Sequence, residues 1–359
     1  MYFRVNKIRM KHLYLLLLVI PLLTVAQDKI DFRQGEILQK QFCDTIPFEY
    51  VRNKMIVSVT INKHKKRFIF DTGATLIISE EIQQETQNPV LGNVFQMDAN
   101  KRQKQVSVVS VKEFELGNLT FQNIPSVVSD IKQTSFLNCF HYDGFIGSNA
   151  LRNCIVQIDV VNKFIILTNN ILNLQLQGAY QTSLKLDNQS SPFVQLNINN
   201  QIKFDALFDS GSDDFITISQ KISQKSFKKN LATILNQGSG TRIIGMHGMN
   251  DAESTQRIKF DNIKFGENEI TYFVSEVSTK SYNAAGMQLA DYGTITLDYI
   301  HKQFYFVAKQ KSQPYHHQKT IGFSLQPENT YYAVGNVWTN TQAEKIGLKN
   351  GFQILKIND

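Results

Sequence analysis

Two short stretches place a carboxylate between apolar runs. The first, FIFDTGATLIIS, spans Phe68 to Ser79, and the second, ALFDSGSDDFITIS, spans Ala206 to Ser219. A single Asp-Thr-Gly triplet is ordinary turn chemistry. A pair of such loops can do more. If they face each other, Asp71 and Asp209 meet, and two carboxylates within ~3 Å cannot both ionise, so the pair holds one proton. One carboxylate can then take a proton from water while the other protonates a carbonyl oxygen. That chemistry hydrolyses an amide without a metal or a covalent nucleophile. Thr72 and Ser210 each offer a hydroxyl that donates and accepts, suited to tying one loop to the other. Gly73 and Gly211 let backbone amides approach the carboxylates with no Cβ in the way. Asp213 and Asp214 follow the second loop, either raising a carboxyl pKa or forming a solvated turn.

The elements that must position these loops repeat along the chain. MIVSVTINKHKKRFIFDTGA pairs with PFVQLNINNQIKFDALFDSGS: an alternating strand, an Asn-containing turn, a second strand, then the Asp. ISEEI and ISQKI follow the two copies, and EEIQQ and QKISQK could each form a short helical turn. Gly147 lies 76 residues after Asp71, and Gly286 lies 77 after Asp209. Asp159 and Asp298, each near the end of an apolar strand, follow at 88 and 89. Agreement of three landmarks within one residue indicates two homologous halves of about 140 residues. Between the landmarks each half holds a hairpin candidate, with turns at Asp98-Ala99-Asn100 and at Asn250-Asp251. Turn signals every 8–12 residues and almost no helical periodicity predict an all-β barrel or sandwich for each half.

These residues resemble the aspartic peptidases of the pepsin and retropepsin kind. In that family the Asp-Thr/Ser-Gly loop is crossed by a hydrophobic-hydrophobic-Gly segment. Phe145-Ile146-Gly147 matches it, and Ala284-Ala285-Gly286 keeps the glycine. The tyrosine that the family carries on its hairpin has no counterpart between Glu80 and Glu115. The nearest resemblance, over roughly 46–307, is to exported bacterial retropepsin-like proteins with a fused PDZ domain. It implies acid-protease-like β-barrel lobes, a dyad of Asp71 and Asp209, positioning by Thr72, Gly73, Ser210 and Gly211, a peptide or protein substrate and no cofactor. Because one chain carries both triplets, a monomeric catalytic unit is expected. The alternative is that the bilobed fold is a non-catalytic peptide-binding or structural module of the cell envelope.

The C-terminal stretch, after a polar linker AKQKSQPYHHQKT, resembles the first part of a PDZ domain. There Ile321-Gly322-Phe323 would correspond to the loop that receives a terminal carboxylate, and AEKIGLKNGFQILKIND to the helix, turn and strand that follow. The later helix that walls the PDZ groove has no residues before Asp359, so a C-terminal peptide ligand is expected only of a complete domain. Trp338 is expected in a core, and the His316-His317 pair in solvent.

Bulk properties narrow the classes further. The chain has 359 residues, 42% hydrophobic and 19% charged, which is globular composition. Arg4, Lys7, Arg9 and Lys11 precede an apolar run from Leu13 to Leu23 and a small residue at Ala26, the anatomy of an export signal, with an uncleaved anchor as the alternative. Without 1–26 the net charge falls from +7 to +3, and no basic run is interleaved with aromatics, so nucleic acid is not an expected partner. Cys43, Cys139 and Cys154 have no zinc spacing, and the seven His are scattered, so no metal is expected. Cys139 and Cys154 could close a disulfide, or all three could be buried thiols. The expected organisation is a signal at 1–26, lobes at 27–177 and 178–310, and a partial PDZ domain at 321–359.

Overall fold

The computed structural model describes residues 30–97, 102–131, 140–241, 244–245, 248–249, 252–278, 283–316, 320–328 and 330–356. The proposed export signal, Cys139, His317 and the two hairpin turns at 98–100 and 250–251 lie outside the described residues. Residues 31–359 form one compact unit. It is an all-β fold in which the longest described helix, Gln220–Lys228, has nine residues.

The first half opens as an antiparallel meander of Cys43–Val51, Lys54–Ile61 and His64–Asp71. Its two tight turns put Arg52, Asn53, Asn62 and Lys63 at positive φ. Paired positive φ is what a two-residue hairpin loop requires if the strands are to keep their twist, and Asn tolerates it best after Gly. Along Lys54–Ile61, Met55, Val57, Val59 and Ile61 point into the core. The meander delivers Asp71 at the last position of its third strand.

The second half repeats this wiring. Pro192–Ile198 and Ile202–Phe208 pair antiparallel across a turn with Asn199 and Asn200 at positive φ. In half one, Gly144–Gly147 runs parallel to His64–Asp71, pairing Phe70 with Ile146 and Asp71 with Gly147. In half two, Asn283–Ala285 runs parallel to Ile202–Phe208, pairing Phe208 with Ala285. The strands just after the two Asp loops, Ile77–Ser79 and Ile216–Ser219, are likewise parallel to Leu119–Ser129 and Val274–Ser278. EEIQQ and QKISQK lie in the helices Glu80–Thr86 and Gln220–Lys228.

One six-stranded sheet joins the halves. Its order is Cys43–Val51, Phe164–Thr168, Ile155–Asp159, Gly293–Asp298, Gln303–Ala308 and Tyr180–Leu186. The central pair is antiparallel, Ile155 opposite Asp298 and Ile158 opposite Ile295, which puts a pseudo-two-fold axis between the halves. The Asp landmarks of the repeat, Asp159 and Asp298, accept from the amides of Asn162 and His301 and close the turns at its ends.

Beyond Ala308 the structure departs from the expected linker. Ser312–Pro314 is a strand parallel to Asn268–Thr271. Gln313 and Tyr315 are buried while Ser312 and Pro314 face out, a two-residue period that polar composition conceals. Gln313 Nε2 donates to the Tyr292 carbonyl at 2.9 Å, and Tyr315 packs against Phe215. His316 is exposed, its ring 4.9 Å from that of Tyr292. The final strands, Phe323–Pro327, Tyr332–Trp338 and Gln353–Ile354, attach to half two where Tyr332–Trp338 pairs with Ala232–Gly240. Trp338 is buried, with the Arg257 guanidinium 6.0 Å from its ring. Cys154 is a free, fully buried thiol, and Cys43 is free and exposed.

Candidate active site

The two Asp loops meet on the axis between the halves. Each is held open by its own crossing segment. The Asp209 amide donates to the Ala285 carbonyl at 2.9 Å, and Ser148, after Gly147, donates its amide to the Ala74 carbonyl at 2.9 Å. Gly147 and Gly286 are required there, since a Cβ at either would run into the backbone of the loop, at Thr75 and at Asp214 respectively. The weakly apolar Ala284-Ala285-Gly286 thus occupies the same place as Phe145-Ile146-Gly147.

Thr72 and Ser210 bind the loops reciprocally. The Thr72 amide donates to Ser210 Oγ at 2.9 Å, and the Ser210 amide donates to Thr72 Oγ1 at 3.0 Å. Each hydroxyl then passes its own proton across the axis, Thr72 to the Phe208 carbonyl at 2.7 Å and Ser210 to the Phe70 carbonyl at 2.9 Å. Both side chains are completely buried, so these groups have no water to turn to. Gly73 and Gly211 donate to the carboxyl oxygens of their own loops, at 2.8 Å to Asp71 and 2.9 Å to Asp209. A Cβ on Gly73 would lie 2.6 Å from Asp209 Cγ, so the missing side chain is the space the opposite carboxyl fills.

Each carboxyl lies against the glycine of the opposite loop, a Cβ on Gly211 falling 2.3 Å from Asp71 Oδ2, so the two are close neighbours. Burial and the neighbouring Asp209 charge push Asp71 up to about 8, against the Gly73 amide and Lys54. Asp209 is also raised by burial, and is held back by the Asp71 carboxyl, the Lys54 charge and the Gly211 amide. A carboxyl pair so placed keeps one proton through a wide pH range. Chemically, the arrangement offers an acid and a base side by side on a surface with no Cβ to block them.

Three contributors had no signal in the sequence. Ser148 Oγ donates to the Thr72 carbonyl at 2.6 Å and lies 3.0 Å from the Tyr299 hydroxyl. Tyr299, from half two, is buried and so supports the loop of half one. Lys54, in half one, donates to the Gly211 carbonyl at 2.6 Å and lies 3.7 Å from Asp213 Oδ1. Asp213 is therefore the exposed partner of a cation rather than a merely solvated turn acid, while Asp214 accepts from Thr217 Oγ1 at 3.2 Å. A comparison of the two repeats singles out Lys54 only as a mismatch with Ser191, which does not point to Gly211.

Ile321, Gly322 and Phe323 belong to the C-terminal segment. Gly322 sits at φ 91°, its amide donating to Thr320 Oγ1 and its carbonyl accepting from Trp338. Phe323 pairs with Val337. No cluster of three or more His, Cys, Asp or Glu that could hold a metal occurs among the described residues.

Many solved structures are similar to parts of this chain, and two of them show the kinds of match. One is conglutin gamma, a unique basic 7S globulin from lupine seeds, at 10% identity and TM-score 0.44, covering 76% of this chain and 96% of that one. The other is a retropepsin-like aspartic protease from Rickettsia conorii, at 16% identity and TM-score 0.25, covering 38% of this chain and 94% of that one. No curated protein matches the chain. The family model of aspartyl proteases matches residues 57–150, the stretch that carries the first Asp loop, its hairpin and its crossing segment.

Proposed function

We propose that this chain is an aspartic-type endopeptidase whose dyad, Asp71 and Asp209, is completed within one polypeptide. The observation that carries the reading is the reciprocal joining of the two Asp loops, which sets each carboxyl against the glycine of the opposite loop. The family match over 57–150 supports the same class for the first half. In this mechanism one carboxylate takes a proton from water as the water oxygen bonds to the peptide carbonyl carbon. The other gives its proton to the carbonyl oxygen. Proton delivery to the amide nitrogen then breaks the C–N bond, and the dyad recovers its single proton. Gly73 and Gly211 hold the carboxyls, while Thr72 and Ser210 fix their separation. The basic and apolar N-terminal residues 1–26 suggest that the enzyme is exported to the periplasm, envelope or exterior.

The test is cleavage of a mixed peptide library from acidic to neutral pH by wild type, Asp71→Asn and Asp209→Asn. Each variant should lose at least ~10²-fold, the low end of what positioned acid–base catalysis supplies. The double variant should lose no more than the worse single one, because the carboxyls act as a unit. Cleavage undiminished in both variants removes these residues from the chemistry. No cleavage by wild type at any pH favours a non-catalytic peptide-binding module.

A further inference from the structure

The two halves supply the dyad with matching parts, but the charged part is unmatched. Amide donation by Gly73 corresponds to that by Gly211, and Thr72 corresponds to Ser210. Lys54 has no counterpart. It lies two residues before Ile56, which pairs with Ile69, and the matching place in half two, two before Phe193 opposite Leu207, is Ser191. Its carboxylate partner Asp213 lies four residues after Asp209, and the residue four after Asp71 is Thr75. The cation is therefore anchored on one Asp loop and not the other, although both carboxyls feel its charge, and it comes from the opposite half.

We propose, on the basis of the peptidase reading above, that Lys54 is a positioning residue that makes the two aspartates unequal, holding Asp209 as the ionised base and leaving the proton on Asp71. Its ammonium is bonded to the Gly211 carbonyl at 2.6 Å, within the Asp209 loop. The side chain is 15% exposed against 62% for Asp213, so solvent screens the cation far less than it screens the acid that would offset it. The amides are matched, Gly211 donating to the Asp209 carboxyl as Gly73 donates to that of Asp71, so the cation is the difference between the two sides. The other titratable groups nearby favour the same assignment or stand aside. Tyr299 faces Asp71 and is kept neutral by burial. Tyr50, also held neutral by burial, stands near Asp213 and Asp291. In the resting enzyme Asp209 is then the group that takes the proton from water, and Asp71 is the acid that protonates the carbonyl oxygen.

The assignment is testable without a substrate. Carboxyl-carbon NMR of protein labelled at aspartate Cγ follows the dyad directly, with Asp71→Asn and Asp209→Asn to assign the two resonances. Lys54→Met should raise the first ionisation of the pair by about one unit, the low end of the effect of an opposite charge a few ångströms away. Lys54→Arg keeps the charge and should titrate with wild type. Asp213→Asn leaves the Gly211 hydrogen bond in place, removes the offsetting charge and should move the ionisation down; it also serves if Lys54→Met does not fold. The acid limb of the pH–rate profile should follow the same order. A Lys54→Met titration that overlays wild type, a Lys54→Arg shift as large as that of Lys54→Met, or no downward shift in Asp213→Asn overturns the proposal. Failure of wild type to cleave peptides would remove the peptidase reading, while the titration would still decide whether Lys54 sets the charge of the pair.

Discussion

Thr72→Val tests whether the join between the halves rests on hydroxyl chemistry or on packing alone. Valine has the shape of threonine, so the substitution removes an oxygen and opens almost no space. Two partners lose their bonds: the Ser210 amide, which donates to Thr72 Oγ1 at 3.0 Å, and the Phe208 carbonyl, which accepts from it at 2.7 Å. Thr72, Ser210 and Phe208 are all fully buried. A buried polar group left without a partner costs ~1–3 kcal/mol, so two cost about 2–6 kcal/mol. That is a large share of the ~5–15 kcal/mol by which domains are stable. Thr72→Ser keeps the oxygen, reproduces the chemistry of the second loop and loses one methyl, about 1 kcal/mol. Ser210→Ala orphans the matching pair, the Thr72 amide and the Phe70 carbonyl, and should cost about as much as Thr72→Val. Urea unfolding followed by far-UV circular dichroism measures all three. A Thr72→Val midpoint equal to wild type, or a Thr72→Ser loss as large as that of Thr72→Val, refutes the reasoning.

Other outcomes follow from the same geometry. Gly73→Ala sets a Cβ 2.6 Å from Asp209 Cγ, so the carboxyl must move by most of an ångström; peptide cleavage should fall ~10²-fold while the circular dichroism spectrum is unchanged. Stability should depend on pH through the dyad. Asp71 is raised from 3.8 to about 8, so the folded state binds more protons than the unfolded chain between those values, and its contribution is full below 3.8 and lost as pH rises through 8. Asp71→Asn should therefore gain stability relative to wild type as pH increases across that window, and a constant difference in urea midpoint would contradict the raised carboxyl. Iodoacetamide should label exposed Cys43 in the native protein and Cys154 only on unfolding, because burial pushes the Cys154 thiol well above its ordinary range; mass spectrometry of the peptides reads both.

What the sequence by itself determined is local or repeated. Alternation along Lys54–Ile61 and Pro192–Ile198 marks strands because side chains of a strand alternate between faces. The Asn turns mark hairpins because they need positive φ. The repeat made the Asp71–Asp209 pairing legible, since two copies of one fold place corresponding residues at corresponding points. Where the chain breaks the repeat, or uses contacts distant in sequence, only the tertiary structure decided. The bond from Lys54 to Gly211 spans 157 positions and exists because the halves dock across a central pair of strands. Tyr299 supports the opposite loop for the same reason. The polar stretch near Pro314 reads as a linker by composition, yet two of its side chains fill a gap in half two. Strand pairing of Tyr332–Trp338 with Ala232–Gly240 likewise depends on an edge that no local pattern announces. Backbone hydrogen bonding carries no residue code, so a free edge becomes visible only once the sheet is built.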